Sequence, residues 1–362
     1  MGSLSEKIRR IRSDDYLGSF VICGKRGYVL LLNNVGIPRA LLYYKYYPMW
    51  HAFLKRLGAE IIVSDATRQQ TVMKGSSRVV TDTCLPVKVF IGHVVSLVDK
   101  SDCILIPVVR STRRKVFNCS RFLGLPDVTR AVVPESPPIL EIEFDMNRGK
   151  GFLYRQIYDL GRHFTDNPFR IREAAIHAWE AHCAYRDLST RQHLNRPEAI
   201  EALLDGHKPP TVKDERDKIT IGLLGHPYLL HDEYISHRLI GRLRAFGFNV
   251  LLPEMVPPRL AGESLADDVG LADSYWESEE DVLDAAAYYL GNGVDGIIGA
   301  MAFSCGPDSM MMHLAQQQAR QANVPFMCLT MEEHTAEAGI ITRLEAFLDM
   351  LQRRRNRERS CV

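Results

Sequence analysis

YVLLLNNVGIPRALLYYKYYPMWHAFLKRLGAEIIVSD, residues 28 to 65, reads in turn as strand, loop, helix and strand. Leu42, Tyr46, Met49, Trp50, Phe53, Leu54 and Leu57 recur at helical spacing, which gives the helix one apolar face. Gly58 suits its C-cap, and EIIVS resumes beyond it as a buried strand. This order is a βα unit feeding a parallel strand, because parallel neighbours need a crossover and a helix is the usual one. CILIPVV at 103 to 109 is a further buried strand, and GHVVSLVDKSD before it reads as the end of a helix.

The pattern returns after a polar, proline-containing stretch, LLDGHKPPTVKDERDK at 203 to 218. KITIGLLGHPYLL supplies a strand and loop, EYISHRLIGRLRAFG an amphipathic helix ending at Gly247, and FNVLLPE another strand. DGIIGAMAF (295 to 303) and NVPFMCLTM (323 to 331) add two more. Between the two regions, FLYRQIYDLGRHF, REAAIHAWEAHCAYRDLST and PEAIEALLD have helical periodicity. The expected fold class is therefore α/β, with two open parallel-sheet domains joined by a helical segment. The expected boundaries are an N-terminal extension at 1–27, a first domain at 28–149, a helical connector at 150–210, a second domain at 211–352 and a basic tail at 353–362. The tail's arginines fit either an anion-binding patch or a solvated, frayed terminus.

A chain of 362 residues with 46% hydrophobic content can bury a core in each of two such domains. Lys plus Arg total 45 against 44 for Asp plus Glu, so no global field attracts nucleic acid or anionic lipid. The N-terminal residues lack the apolar segment of a secretory signal, and Glu6 stands where a myristoylation pattern needs Ser or Thr. No run approaches the roughly 18 apolar residues of a membrane span. A cytoplasmic protein is expected.

The eight cysteines are scattered and contain no C-x-x-C pair, which argues against a zinc ribbon or a disulfide scaffold. Three fall where loops turn into helices, the place where open α/β folds collect ligands. Cys305, in FSCGPDS, follows DGIIGAMAF and precedes a helix in which Pro307 suits the first turn and Asp308 and Ser309 can satisfy exposed N–H groups. A thiolate there is favoured by the helix dipole. Cys84 lies in VVTDTCLPVKVF, with Pro86 again early in a helix, and Cys119 lies in the loop KVFNCSRFLGLPD. Three soft ligands of this kind suit an iron–sulfur cluster or zinc if they meet, and are unrelated buried thiols if they do not. Cys103 and Cys328 sit inside apolar strands and read as core, while Cys23, Cys183 and Cys361 lack such a turn.

Other candidates are His226 after a strand, Arg39 at a helix start, and Glu332, Glu333, His334 and Glu337 in MEEHTAEAG. No GxGxxG, Walker A, GxSxG or HExxH motif is present.

GIPRALLYYKYYPMWHAFLKRLGAEIIVS, DTCLPVKVFIGHV, NCSRFLGLPD, GHPYLLHDEYIS, FSCGPDS and EEHTAEAGIITRLEAFLDM occur in that order over roughly residues 30 to 352. In them the chain resembles the acyl-CoA dehydratase activase-related proteins of the 2-hydroxyacyl-CoA dehydratase and benzoyl-CoA reductase superfamily. The resemblance implies two Rossmann-like domains and a 4Fe-4S cluster held by Cys84, Cys119 and Cys305. It further implies a small-molecule substrate, by analogy an acyl-CoA, and leaves open whether the chain forms a homo- or heterodimer. It also implies a partner: an ATP-hydrolysing activator of the actin and Hsp70 type carrying its own cluster. The family often has Cys-Pro where this chain has Cys119-Ser120. Residues 1 to 27 fall outside the match. The leading expectation is an iron–sulfur reductase or electron-transfer component, with His226, His334 and Ser309 as catalytic candidates. Lys88, His93 and Asp308 are added for positioning or proton delivery. The second expectation, from another class, is a non-catalytic two-domain binding or scaffold protein with a structural metal or none.

Overall fold

The strand that leads into the first helix is NVGI rather than the apolar run before it. In the computed structural model it is β3 (Asn34–Ile37), while β1 (Val21–Ile22) and β2 (Val29–Leu30) pair antiparallel with each other. Asp102 explains the register: its carboxylate accepts from the Asn33 and Asn34 amides at 3.2 and 2.9 Å, which fixes where β3 begins. The structure describes residues 21–22, 29–30, 33–206, 218–257 and 276–360. Cys23, Cys361, most of the expected N-terminal extension and most of the polar stretch at 203–218 lie outside the described residues.

After β3 the chain runs through α1 (Tyr43–Leu57), β4 (Glu60–Val63), α2 (Gln69–Ser76), α3 (Leu85–Leu97) and β5 (Cys103–Ser111). Then come α4 (Ser120–Leu123), α5 (Leu125–Val132), β6 (Ile139–Asp145), α6 (Lys150–Gly161), α7 (Pro168–Gln192) and α8 (Arg196–Leu204). The first sheet is all parallel in the order β4-β3-β5-β6. Cys103 to Ile106 are all buried, as a strand covered on both faces requires. On α1, Trp50, Phe53, Leu54 and Leu57 supply the expected apolar face, and Gly58, at φ +92°, ends the helix.

The second set comprises β7 (Thr220–Leu224), α9 (Pro227–Leu230), α10 (Leu239–Ala245), β8 (Asn249–Leu251), α11 (Glu277–Gly291), β9 (Gly296–Ala302), α12 (Gly306–Gln321), β10 (Phe326–Met331) and α13 (Glu337–Ser360). Its sheet is again all parallel, in the order β10-β9-β7-β8. Leu283, Ala286, Tyr289, Met312 and Ala315 of α11 and α12 form its core with Ile297 and Leu224. Each sheet thus sends its first two strands one way and its third the other. That reversal makes a switch point, and these are two Rossmann-like α/β folds. The basic segment after residue 352 continues α13 to Ser360, and Arg355 lies 3.5 Å from Asp295.

Contacts divide the chain into two compact units. The first holds residues up to Arg39, Tyr46–Asp65 and His93–Ala184; the second holds Ala40–Lys45, Ala66–Gly92 and Tyr185 onward. The helical stretch of 150–210 is therefore shared out, with α6 and most of α7 in the first unit and α8 in the second. Within the second unit, α2 and α3 approach closely enough that a Cβ on Gly75 would lie 1.7 Å from the Lys88 carbonyl oxygen. A Cβ on Gly92 would lie 1.9 Å from that of Thr71.

Candidate functional site

β7 ends at Leu224, and Gly225 turns the chain into α9. Gly225 has φ +151°, and an added Cβ would meet the Ala300 carbonyl oxygen at 2.8 Å, so this turn needs glycine on both counts. The turn presents His226, only 5% exposed, directly before α9. The neighbouring strand β9 ends at Ala302 and leads through Ser304, at φ +65°, and Cys305 into α12. Asp308, 3% exposed in the first turn of α12, places Oδ1 2.5 Å from His226 Nε2 and accepts from the Ala302 amide at Oδ2. One carboxylate therefore ties together the carboxyl ends of β7 and β9, the two strands that flank the switch point.

Burial opposes a charge on His226, but the Asp308 carboxylate beside it, with Glu279 and Asp281, outweighs burial and holds its pKa above the ordinary histidine value. Burial likewise opposes the Asp308 carboxylate. His226, the Ala302 amide and a hydrogen bond from the Cys305 thiol overcome it and hold the carboxyl below its usual range. Tyr228 stacks on the His226 ring at 5.0 Å between centroids. Glu279, in the first turn of α11, completes a buried trio: one ligand atom each from His226, Glu279 and Asp308 lie within 4.8 Å of one another.

Cys305 is half-buried at the N-cap of α12, where its carbonyl accepts from the Ser309 amide and from Ser309 Oγ at 3.0 Å. Ser309 itself is exposed. Cys84 is buried directly before α3, its carbonyl accepting from the Val87 and Lys88 amides. It falls in the second unit, whereas the sequence reading has it on a loop of the first α/β region. Two contacts explain the placement: Lys88 Nζ donates to both Glu333 oxygens at 2.8 and 2.7 Å, and Thr67 donates to Asp232. Glu333 follows β10, so Lys88 holds the start of α3 at that strand's carboxyl end. His334, next in sequence, is exposed. A crevice among Leu41, Pro86, Val89, Tyr228 and Ile235 has no room for a water molecule, so it is not a small-ligand pocket.

Cys119 belongs to the first unit, half-buried directly before the one-turn helix α4. The first unit also buries His93, whose Nδ1 is 2.9 Å from Ser64 Oγ. Cys103 is fully buried, and burial followed by the nearby Asp102 pushes its thiol up to about 12. Burial raises Cys328 as well. Sequence reasoning missed Glu279 and a second buried pair, His231 Nε2 with Glu254 Oε1 at 2.7 Å. Glu279 stands in the acidic run ESEED, which in sequence looks like an ordinary solvated helix start.

The arrangement defines a class: an α/β protein with a buried acid–imidazole centre at a sheet switch point and cysteines at the starts of helices. Over residues 34–256 the chain matches the family described as "CoA enzyme activase uncharacterised domain (DUF2229)", and it belongs to that family. No curated protein matches it. Among the described residues, no helix is long and apolar enough to cross a membrane.

Proposed function

We propose that this chain is the iron–sulfur component of an acyl-CoA dehydratase-type system, working with an ATP-hydrolysing activator. The family description supports an activase-linked role in CoA chemistry. The observation that supports the finer reading is local: Cys84, Cys119 and Cys305, none of them in a disulfide, each stand directly before a helix. This donor set fits a 4Fe-4S cluster: all three are soft, none is in a disulfide, and Cys84 and Cys305 precede helices of 13 and 16 residues whose dipoles favour thiolate.

When bound, such a cluster supplies one-electron chemistry, and three protein ligands leave one iron position for another molecule. The chain's own residues do the rest. Asp308 lies beside the Cys305 sulfur, which as a cluster ligand would be a thiolate and would no longer donate to it, and with no cation bound the Asp308–His226 pair holds a proton there. Lys88 and Glu333 fix the turn that carries Cys84. Ser309, in the first turn of α12, and His334, just after β10, are exposed, where they can meet a small molecule from solvent, in keeping with an acyl-CoA as substrate.

Anaerobically purified protein is expected to be brown, with close to four irons per chain, a count set by the proposed cluster. Cys305→Ala is expected to lose that iron, while Cys103→Ala keeps it. Colourless protein after anaerobic reconstitution, or iron retained in the Cys305 variant, would overturn the reading. Reduction of the bound iron by an ATP-dependent activator tests the partnership.

A further inference from the structure

We infer that His226, Glu279 and Asp308 form a binding site for one first-row divalent cation, which adjoins Cys305 but takes no cysteine as a ligand. The three come from different places in the second unit, the end of β7, the start of α11 and the start of α12, yet their ligand atoms lie within 4.8 Å of one another. They are 5, 6 and 3% exposed, so each is at least nine-tenths buried. Among the described residues they are the one group of three His, Cys, Asp or Glu side chains that meets this condition.

The independent observation is Glu279. His226 and Asp308 satisfy each other, and Asp308 also has the Ala302 amide. Two acidic neighbours on α11 have their own cation, since Lys45 Nζ lies 2.8 Å from Glu277 and 3.2 Å from Asp281. Among the described residues Glu279 has neither: its carboxylate accepts only from its own backbone, and no described Lys or Arg pairs with it. A buried carboxylate facing a second carboxylate is costly unless a positive charge sits between them. With His226 protonated and both carboxylates ionised, the trio carries one negative charge in excess, and burial raises the Glu279 pKa. A divalent cation removes the excess, displaces the proton shared by His226 and Asp308, and gives Glu279 its counter-charge.

One imidazole nitrogen and two carboxylates are a borderline-to-hard donor set suited to Mn²⁺, Fe²⁺ or Zn²⁺, with positions left for water or a substrate oxygen. The location fits a functional metal, because the switch point is where open α/β sheets bind ligands.

The test titrates Mn²⁺ into chelator-stripped full-length protein and follows the electron paramagnetic resonance signal of free Mn²⁺, since a hard cation discriminates against thiolate sites. Wild type is expected to bind one Mn²⁺ per chain and to melt at a higher temperature with it. Glu279→Gln is expected to fold as wild type does, because that carboxylate bonds to no other described residue, and to bind at least tenfold more weakly. Asp308→Asn should not bind at all. Cys84→Ala should bind as wild type does. No uptake by folded wild-type protein up to millimolar Mn²⁺, equal uptake by Glu279→Gln, or loss of uptake in Cys84→Ala would overturn the site.

Discussion

Tyr185 Oη donates a 2.6 Å hydrogen bond to the carbonyl of Tyr44, the acceptor whose helical partner would be the missing N–H of Pro48. Proline inside a helix deletes one backbone bond, and here a side chain from α7 replaces it. Tyr185 is fully buried, and burial pushes its phenol above the ordinary tyrosine pKa, so it stays a donor at all working pH values. Tyr185→Phe is expected to cost about 1–3 kcal/mol, the penalty for removing one partner of a buried hydrogen bond. In a Pro48→Ala background, where the helix can make its own bond, the same change should cost about half as much or less. Equal costs in the two backgrounds, measured by chemical denaturation, would refute this account of Pro48.

Lys88 and Glu333 form the second unit's least exposed lysine pair among the described residues, with side chains 6% and 22% exposed. Their values differ when broken from each side. Glu333→Gln leaves Lys88 charged and buried, and is expected to cost about 2–4 kcal/mol. Lys88→Met leaves Glu333 free to turn toward water and should cost clearly less. Urea denaturation of both variants checks the order, and a Lys88→Met cost equal to or above that of Glu333→Gln would sink it.

The architecture was legible because two signals agree: apolar runs such as CILIPVV and DGIIGAMAF mark strands covered on both faces, and helical periodicity between them marks crossovers. Cys84 and Cys305 were legible as helix starts because Pro86 and Pro307 sit in the first turn. What stayed hidden depends on contacts distant in sequence. His226 and Asp308 are 82 residues apart, and nothing local says that they touch. Glu279 sits among Glu277, Glu280 and Asp281, of which the two glutamates are buried as well, and periodicity cannot tell which acid of such a run meets His226. The first strand was displaced for a similar reason: YVLLLN is the more apolar run, but Asp102, far along the chain, captures the amides of Asn33 and Asn34. Grouping Cys84 with the second unit likewise required contacts to Asp232 and Glu333.

His93 gives the first unit a distinct pH response. It is 1% exposed, its Nδ1 is 2.9 Å from Ser64 Oγ, and the Arg39 amide donates to the same oxygen at 2.8 Å. Ser64 Oγ therefore already accepts one hydrogen, and its own hydroxyl proton is best directed at a neutral imidazole. Burial first, then the Arg39 charge, lower the His93 pKa to about 4 against a weaker pull from Asp65. The folded chain then binds fewer protons than the unfolded chain, in which the histidine titrates near 6.5. Its contribution to stability is complete above about pH 6.5 and is lost as the pH falls toward 4, by about 3 kcal/mol in all. Wild type should lose that much more stability than His93→Phe between pH 7 and pH 4 in urea denaturation. The His93 imidazole should also remain neutral at pH 5 by nitrogen NMR, and a titration midpoint near 6.5 in the folded protein would show that the histidine reaches water.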